Sequence, residues 1–431
     1  MTVRRAGIRA AAALVAAVVP AAVAAESLPP LPSPTQSMEP RQAERSGYAP
    51  PGARLGGLLL HADAAVERRV RLQQFDAAPH LSSESWLTTA RLDVDAALGD
   101  ERWVAEASAG VDVTRSTRGS PEDTTGGHVG LSLKMPLGLV GAVKTDLSWQ
   151  QAHEPRTAPL ADGYAGAPTR LRITTAGTEV LWRPGRLAMD LRLEAARHDF
   201  ADVPRLGFAG RPTAAAINND DRDHDRLAVA GRAGWQFGPL TSVYVRGTAD
   251  RIDYSAGRDD FGFDRDSAGA GLFAGLTLGR PRLWRAFLEA GRVRRSLDSP
   301  ALRPVAVTAV NGGLTWATTP LMTNQLRLHT AIAETTEPFA PVAVMRGVEL
   351  ETEHELLRSL VLTSTVGTAI HDYPGPLGRQ EVSTLSEAGA RWRLGRLARV
   401  ELGFSRERLE STWLDNGYTV HEAWLRLAAR F

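Results

Sequence analysis

The chain has 431 residues, 43% of them hydrophobic, with 50 Lys+Arg set against 49 Asp+Glu and no cysteine. So even a balance excludes a nucleic-acid binder, which needs a basic excess. The lack of Cys excludes a disulfide framework, so an exported chain of this kind must be held by burial or by a closed hydrogen-bond ladder.

Residues 1–25 have the features of a secretory signal. Arg4, Arg5 and Arg9 form a basic head and Ala10 to Val19 an apolar stretch, and Ala22-Val23-Ala24 or Val23-Ala24-Ala25 offers small residues for cleavage. The apolar stretch runs into Pro20 and is too short for a spanning helix. No Cys follows to carry a lipid. Without the three signal arginines the balance is 47 basic to 49 acidic residues, a net charge of about −2. Residues 26–51 include Leu28-Pro29-Pro30-Leu31-Pro32-Ser33-Pro34 and Tyr48-Ala49-Pro50-Pro51-Gly52, a composition for an extended tail and not for a core. A periplasmic tail is expected, with docking to a periplasmic partner as the sharper alternative.

From about Arg54 the pattern has period two and keeps it. The expected strands are 54–70, 83–98, 102–116, 126–135, 139–152, 169–182, 186–198, 225–237 and 240–255. They continue at 265–278, 282–296, 304–317, 321–334, 342–356, 359–372, 381–393, 397–410 and 417–431. In 186–198, Leu187, Met189, Leu191, Leu193 and Ala195 share one face, and Ala188, Asp190, Arg192 and Glu194 the other. Charges at every second position, strand after strand, fit lipid outside and a wet lumen inside better than a sandwich.

The connections alternate in length. Short turns such as Arg183-Pro184-Gly185, Gly238-Pro239 and Leu394-Gly395-Arg396 are interleaved with longer loops at 71–82, 117–125, 153–168, 199–224, 256–264, 297–303, 335–341, 373–380 and 411–416. Outer-membrane barrels show this asymmetry, with short turns on the periplasmic side. The expected fold is therefore all-β, a transmembrane antiparallel up-and-down barrel of about eighteen strands, with sixteen as the alternative, over residues 52–431. Both termini then fall in the periplasm. Phe431 closes the last strand, whose phases are Ala423, Leu425, Leu427, Ala429 and Glu422, Trp424, Arg426, Arg430. An aromatic terminus on such a strand is the expected signal to the barrel-assembly machinery.

No catalytic signature is present. His354-Glu355 and His421-Glu422 lack the second His of a zinc-protease helix, and no Gly-x-Ser-x-Gly elbow exists. Gly269, Gly271 and Gly275 have the wrong spacing for a dinucleotide loop and are expected to relieve crowding in a strand. Asp220, Asp221, Asp223 and Asp225 form an acidic run on the longest loop. It lacks the Gly and closing Glu of a calcium loop, so it is read as a solvated rim, with divalent-ion binding as the alternative. No metal or cofactor site is expected.

The inward phase supplies the candidate pore-lining residues Arg91, Asp93, Asp95, Asp190, Arg192, Glu194, Arg246, Asp250, Arg327, His329, Arg391, Arg393, Glu401, Glu422, Arg426 and Arg430. They form either a selectivity lining with a modest anion preference or a mixture whose charges neutralise one another and keep the lumen wet. Trp86, Trp103, Trp149, Trp182, Trp235, Trp284, Trp316, Trp392 and Trp413 fall mostly near strand ends, as interface anchors do. The 199–224 loop, being longest, is the expected plug.

Four segments recur in order: Ala216-Ile217-Asn218-Asn219-Asp220-Asp221-Arg222-Asp223-His224-Asp225, Phe261-Gly262-Phe263-Asp264-Arg265-Asp266-Ser267, Thr315-Trp316-Ala317-Thr318-Thr319-Pro320-Leu321 and Glu353-His354-Glu355-Leu356-Leu357-Arg358-Ser359-Leu360. In this spacing residues 52–431 resemble a family of proteobacterial outer-membrane β-barrel porins, often encoded beside exopolysaccharide genes. The chain departs from the family at Val66-Glu67-Arg68-Arg69-Val70-Arg71, where members tend to carry an acidic, Asn-containing segment. The resemblance implies a channel in the bacterial outer membrane that passes or secretes polysaccharide or other hydrophilic solutes. The expected partners are outer-membrane lipid and lipopolysaccharide, the barrel-assembly machinery and periplasmic polysaccharide-export components. A closed adhesin-like barrel and a lipid- or glycan-modifying barrel enzyme are the alternatives.

Overall fold

A computed structural model describes residues 52–76, 82–100, 102–116, 122–155, 165–206, 212–335, 337, 340–376, 378–412 and 417–431. The expected signal at 1–25, the Pro-rich tail at 26–51, and Trp413 lie outside the described residues. The strands in chain order are β1 (Ala53–Leu55), β2 (Leu58–Phe75), β3 (Ser83–Gly99), β4 (Val104–Ser116), β5 (Thr124–Leu137), β6 (Gly141–Glu154) and β7 (Thr169–Trp182). Then come β8 (Leu187–Phe200), β9 (Val203–Leu206), β10 (Pro212–Ile217), β11 (His224–Gly238), β12 (Thr241–Tyr254), β13 (Ser267–Arg280) and β14 (Trp284–Leu297). The last are β15 (Val305–Thr319), β16 (Met322–Ala333), β17 (Ala343–Leu357), β18 (Leu360–Tyr373), β19 (Arg379–Leu394), β20 (Ala398–Ser411) and β21 (Tyr418–Arg430).

Strands β2 to β8 and β11 to β21 form a closed antiparallel barrel of 18 strands. Closure comes from β2 pairing with β21, from Asp63↔Arg430 to Phe75↔Tyr418. Phe431 extends this ladder by one step, exchanging two peptide hydrogen bonds with Ala62. Below that point β21 has ended, and β1 takes over the vacant edge. The chain turns at Gly56 (φ 62°), a left-handed position suited to Gly, and Ala53–Leu55 pairs with Leu58–Leu60. The first wall strand therefore starts at Leu58 and not at the expected residue 54. The facing edges of β2 and β21 are thus covered at the closure, which matters because an unpaired strand edge invites aggregation.

The wall is inside out relative to a water-soluble protein. On β8, Met189, Leu191 and Leu193 are exposed, while Asp190, Arg192 and Glu194 between them are partly covered. The same alternation recurs on β3, β12 and β21. Exposed apolar side chains in one phase and paired charges in the other are what a lipid-facing barrel requires. Trp182, Trp235 and Trp392 are exposed at the short-turn ends of their strands, and Trp284 stands opposite Trp316. Such rows suit the headgroup level of a bilayer.

Candidate functional site

The inner face is built from ion pairs. Around the closure they form one chain. Arg71 Nε lies 2.6 Å from Glu422 Oε1, and Arg69 Nη1 lies 2.8 Å from Glu422 Oε2. Arg69 also reaches Glu67 at 2.7 Å, and Glu67 pairs with Arg426. Arg426 continues to Glu401 (3.3 Å), Glu401 to Arg399 (3.0 Å), Arg399 to Asp63 (3.5 Å), and Asp63 pairs with Arg430. Arg391 joins from β19, 3.3 Å from Glu401 and 3.5 Å from Glu353. The two ends of the chain are thus tied by charge as well as by the peptide ladder.

A second network lines the opposite wall. Arg192 sits between Asp146 (3.5 Å) and Glu194 (2.8 Å), and Arg232 lies 3.1 Å from Asp190. Arg246 pairs with Glu289, which also accepts hydrogen bonds from Tyr244 Oη (3.1 Å) and Asn311 Nδ2 (3.0 Å). Asp250 lies 2.6 Å from Arg295. The contacts of Tyr244, Arg246 and Asp250 with Glu289 and Arg295 leap over β13, whose inward phase has Phe273 beneath Arg246 but glycine at 269, 271, 275 and 279. A Cβ at Gly275 would stand 2.4 Å from Tyr244 Cζ, and one at Gly269 would stand 2.5 Å from Asp250 Oδ1. The expected crowding relief is therefore specific: glycines let side chains of β12 and β14 meet across β13.

The remaining candidates are placed as follows. Arg91 lies 3.7 Å from Asp112. Asp93 stands opposite Asp63, and Asp95 opposite His61, in the β2–β3 ladder. Arg327 pairs with Glu349 and lies 3.1 Å from Glu351. His329 covers Gly347, and Arg393 stands opposite Arg399. Glu67, Arg69, Arg71 and Asp63 escaped sequence reasoning, although one phase of β2 carries them all. Glu289 and Arg295 share one phase of β14 and could have been found in the same way.

One connection turns into the lumen. The β15–β16 ladder stops at Gly312↔Leu328, although β15 begins at Val305 and β16 runs to Ala333. Above the stop, side chains stand in for peptide bonds. Thr330 N donates to Asn311 Oδ1 (2.9 Å), Val310 N donates to Thr330 Oγ1 (3.3 Å), and Thr330 Oγ1 donates to Val310 O (3.2 Å). Strand β16 stays paired with β17 up to Ala333↔Ala343, and β17 with β18 up to Val344↔Asp372, so the wall parts only between β15 and β16 and its β16 side folds inward there. Ile332 and Val344 belong by alternation to the outer phase, yet they are 4% and 2% exposed. They pack with Leu297, Leu302 and Val307, and the first and last of these lie on the inner phase of β14 and β15.

Arg265, 2% exposed, holds this crest. Its Nε lies 2.7 Å from Asp259 Oδ2, and its other nitrogens donate to the carbonyls of Thr335 (2.8 Å), Ala340 (2.6 Å) and Glu337 (3.0 Å). Glu334 accepts from Tyr254 Oη (3.2 Å) and lies 3.2 Å from Arg295, while Glu337 pairs with Arg379. These anchors come from β12, the β12–β13 connection, β14 and β19, so the crest leans inward over the part of the wall that runs from β12 to β19. The element that turns in is thus the β16–β17 connection. The expected plug at 199–224 lies in part outside the described residues (207–211); in its described part Arg222 lies 2.8 Å from Glu154 and over the Phe200 ring.

The four aspartates of the acidic run do not converge. Asp225 pairs with Arg197 (2.6 Å), and Asp223 Oδ1 accepts from Phe200 N (2.6 Å). Asp221 is buried, and burial, reinforced by Asp260, pushes its pKa up to about 6. Asp220 begins the short 3-10 turn Asp220–Arg222. Among the described residues no group of three or more acidic, His or Cys side chains is placed to hold a metal ion.

The family model "Putative beta-barrel porin 2" matches residues 45–431. The chain belongs to this porin family. Solved structures similar to it include OpdO of Pseudomonas aeruginosa (11% identity, 86% of this chain and 97% of the other covered, TM-score 0.47). A BenF-like porin from Pseudomonas fluorescens gives 10% identity, 86% and 99% coverage and a TM-score of 0.49. The outer membrane protein OpdK of Pseudomonas aeruginosa gives 13%, 86% and 98%, and 0.47. No curated protein matches the chain. As a member of the porin family, the chain is a porin-like outer-membrane barrel.

Proposed function

We propose that this porin is a passive channel of the bacterial outer membrane for hydrophilic solutes, with secreted polysaccharide as the physiological cargo. The observation that carries the reading is the polar inner face of a closed barrel. Its charges are present in number yet joined in pairs, so a solute meets hydrogen-bonding groups without a strong field of one sign. Such a corridor suits polyhydroxylated chains, which exchange hydrogen bonds with water for those of the wall. Polysaccharide itself is supported by the family resemblance alone. The short turns and the termini would face the periplasm, and the crest would narrow the outer half of the pore. The barrel acts without chemistry of its own and needs no cofactor.

Planar-bilayer recording tests this. The purified barrel is expected to give ohmic steps with little preference between potassium and chloride, and neutral oligosaccharides added to one side should reduce the current. Absence of any conductance, in wild type and in a variant freed of its crest latch, would sink the channel reading.

A further inference from the structure

The outer phase of the wall carries arginines towards the long-loop end, and most have an acid of their own. Arg197 pairs with Asp225, Arg251 with Asp253 and Asp298, and Arg346 with Asp372. Arg292 and Arg294 on β14 differ. Both are exposed, and among the described residues neither has a carboxylate within ion-pair distance. Arg292 Nη1 donates only to Thr308 Oγ1, at 3.0 Å. Two residues apart on one strand, they point the same way about 7 Å from each other.

Their height is informative. Trp284 marks the short-turn end of β14, and eight residues on, Arg292 stands roughly 20 Å above it for a strand tilted about 40°. Arg294 is roughly 25 Å above, at the top of an apolar band about 25 Å tall. Directly below and beside them are the exposed Leu272, Leu288 and Val310. Unpaired guanidinium groups over an apolar wall match an amphiphile with a phosphate head and acyl chains. The position is also where β15 and β16 part, so a bound lipid would cover the unladdered edge.

We infer that Arg292 and Arg294 form a docking site on the outer wall for the phosphate of an outer-leaflet lipid, lipid A, whose chains lie on Leu272 and Leu288. This rests on the outer-membrane placement proposed above, and goes beyond the channel itself. A free phosphate would lack the apolar half of the contact and should bind far more weakly.

The test uses the full-length barrel in detergent, incubated with lipid A, with its dephosphorylated form, or with inorganic phosphate. Arg292→Gln/Arg294→Gln is expected to weaken lipid A binding about thirtyfold, two arginines near an anionic surface being removed. The wild type should discriminate against dephosphorylated lipid A to a similar extent, and Arg251→Gln should bind lipid A like wild type. Lipid A binding left intact in the double variant, or equal binding of the dephosphorylated lipid, overturns the site. Arg292→Lys/Arg294→Lys, which keeps charge but loses the fork, serves if the Gln variant fails to fold, and should show an intermediate loss. Conductance is recorded on the same samples: a barrel that binds lipid A but never conducts would count against the channel and not against this site.

Discussion

At Gly403, Gly275 and Gly347 the smallest residue is what permits the largest or most polar neighbours. A Cβ at Gly403 would stand 2.3 Å from the Trp424 ring, and one at Gly347 equally close to His329. Trp424 shares the inward phase with Arg426, as its alternation requires, but its ring is packed against Gly403 and has the Arg69 guanidinium 5.5 Å from its centre. The residue most open to a pH experiment is Asp221. An ordinary aspartate has a pKa near 3.9, whereas this one is raised to about 6. The folded turn therefore holds the proton more tightly than the unfolded chain does. The stability so gained is full below about pH 4 and is lost as pH rises through about 6. Hydrogen-exchange protection of Arg222 N–H and Asp223 N–H, corrected for intrinsic rates, should be higher at pH 5 than at pH 7.5. Asp221→Asn should remove that difference; a difference that survives would show that another group is responsible.

Among the elements, the β16–β17 crest separates pattern from position most clearly. Its alternation continues that of the wall below, and Ile332 and Val344 would be lipid-facing if the strands ran straight. They turn in because their apolar side chains find Leu297 and Val307, and because Arg265 satisfies three carbonyls that would otherwise be buried without donors. Removing a buried charged partner of this kind costs on the order of 3–5 kcal/mol locally. Arg265→Gln is therefore expected to loosen the crest and raise single-channel conductance severalfold while the barrel still assembles. Conductance identical to wild type would mean that the crest is not the narrow point. The closure network is the opposite case. Its members lie on regular strands, so their inward phase is plain in sequence. Only the β2–β21 register, however, brings Glu67 to Arg426 and Asp63 to Arg430.

For the whole molecule, the decisive act is joining residues more than 350 positions apart, as in Arg69 to Glu422. Phe431 completes that joint through its two bonds to Ala62, with its ring exposed on the outside. Phe431→Asn is expected to lower the amount of assembled barrel in the membrane, while the barrels that do assemble conduct normally; wild-type levels would remove the residue from the assembly signal. A one-residue slip at this joint would turn Glu422, Arg426 and Arg430 into lipid, so the register is strongly fixed. Sequence by itself determined the barrel class and, with sixteen as the alternative, the strand number, because period-two alternation and turn spacing are local properties repeated along the chain. It could not determine which charges meet, which side chains come together over the glycines, or which connection folds inward. Those depend on curvature and on contacts between strands far apart in the chain, and only the closed barrel supplies them.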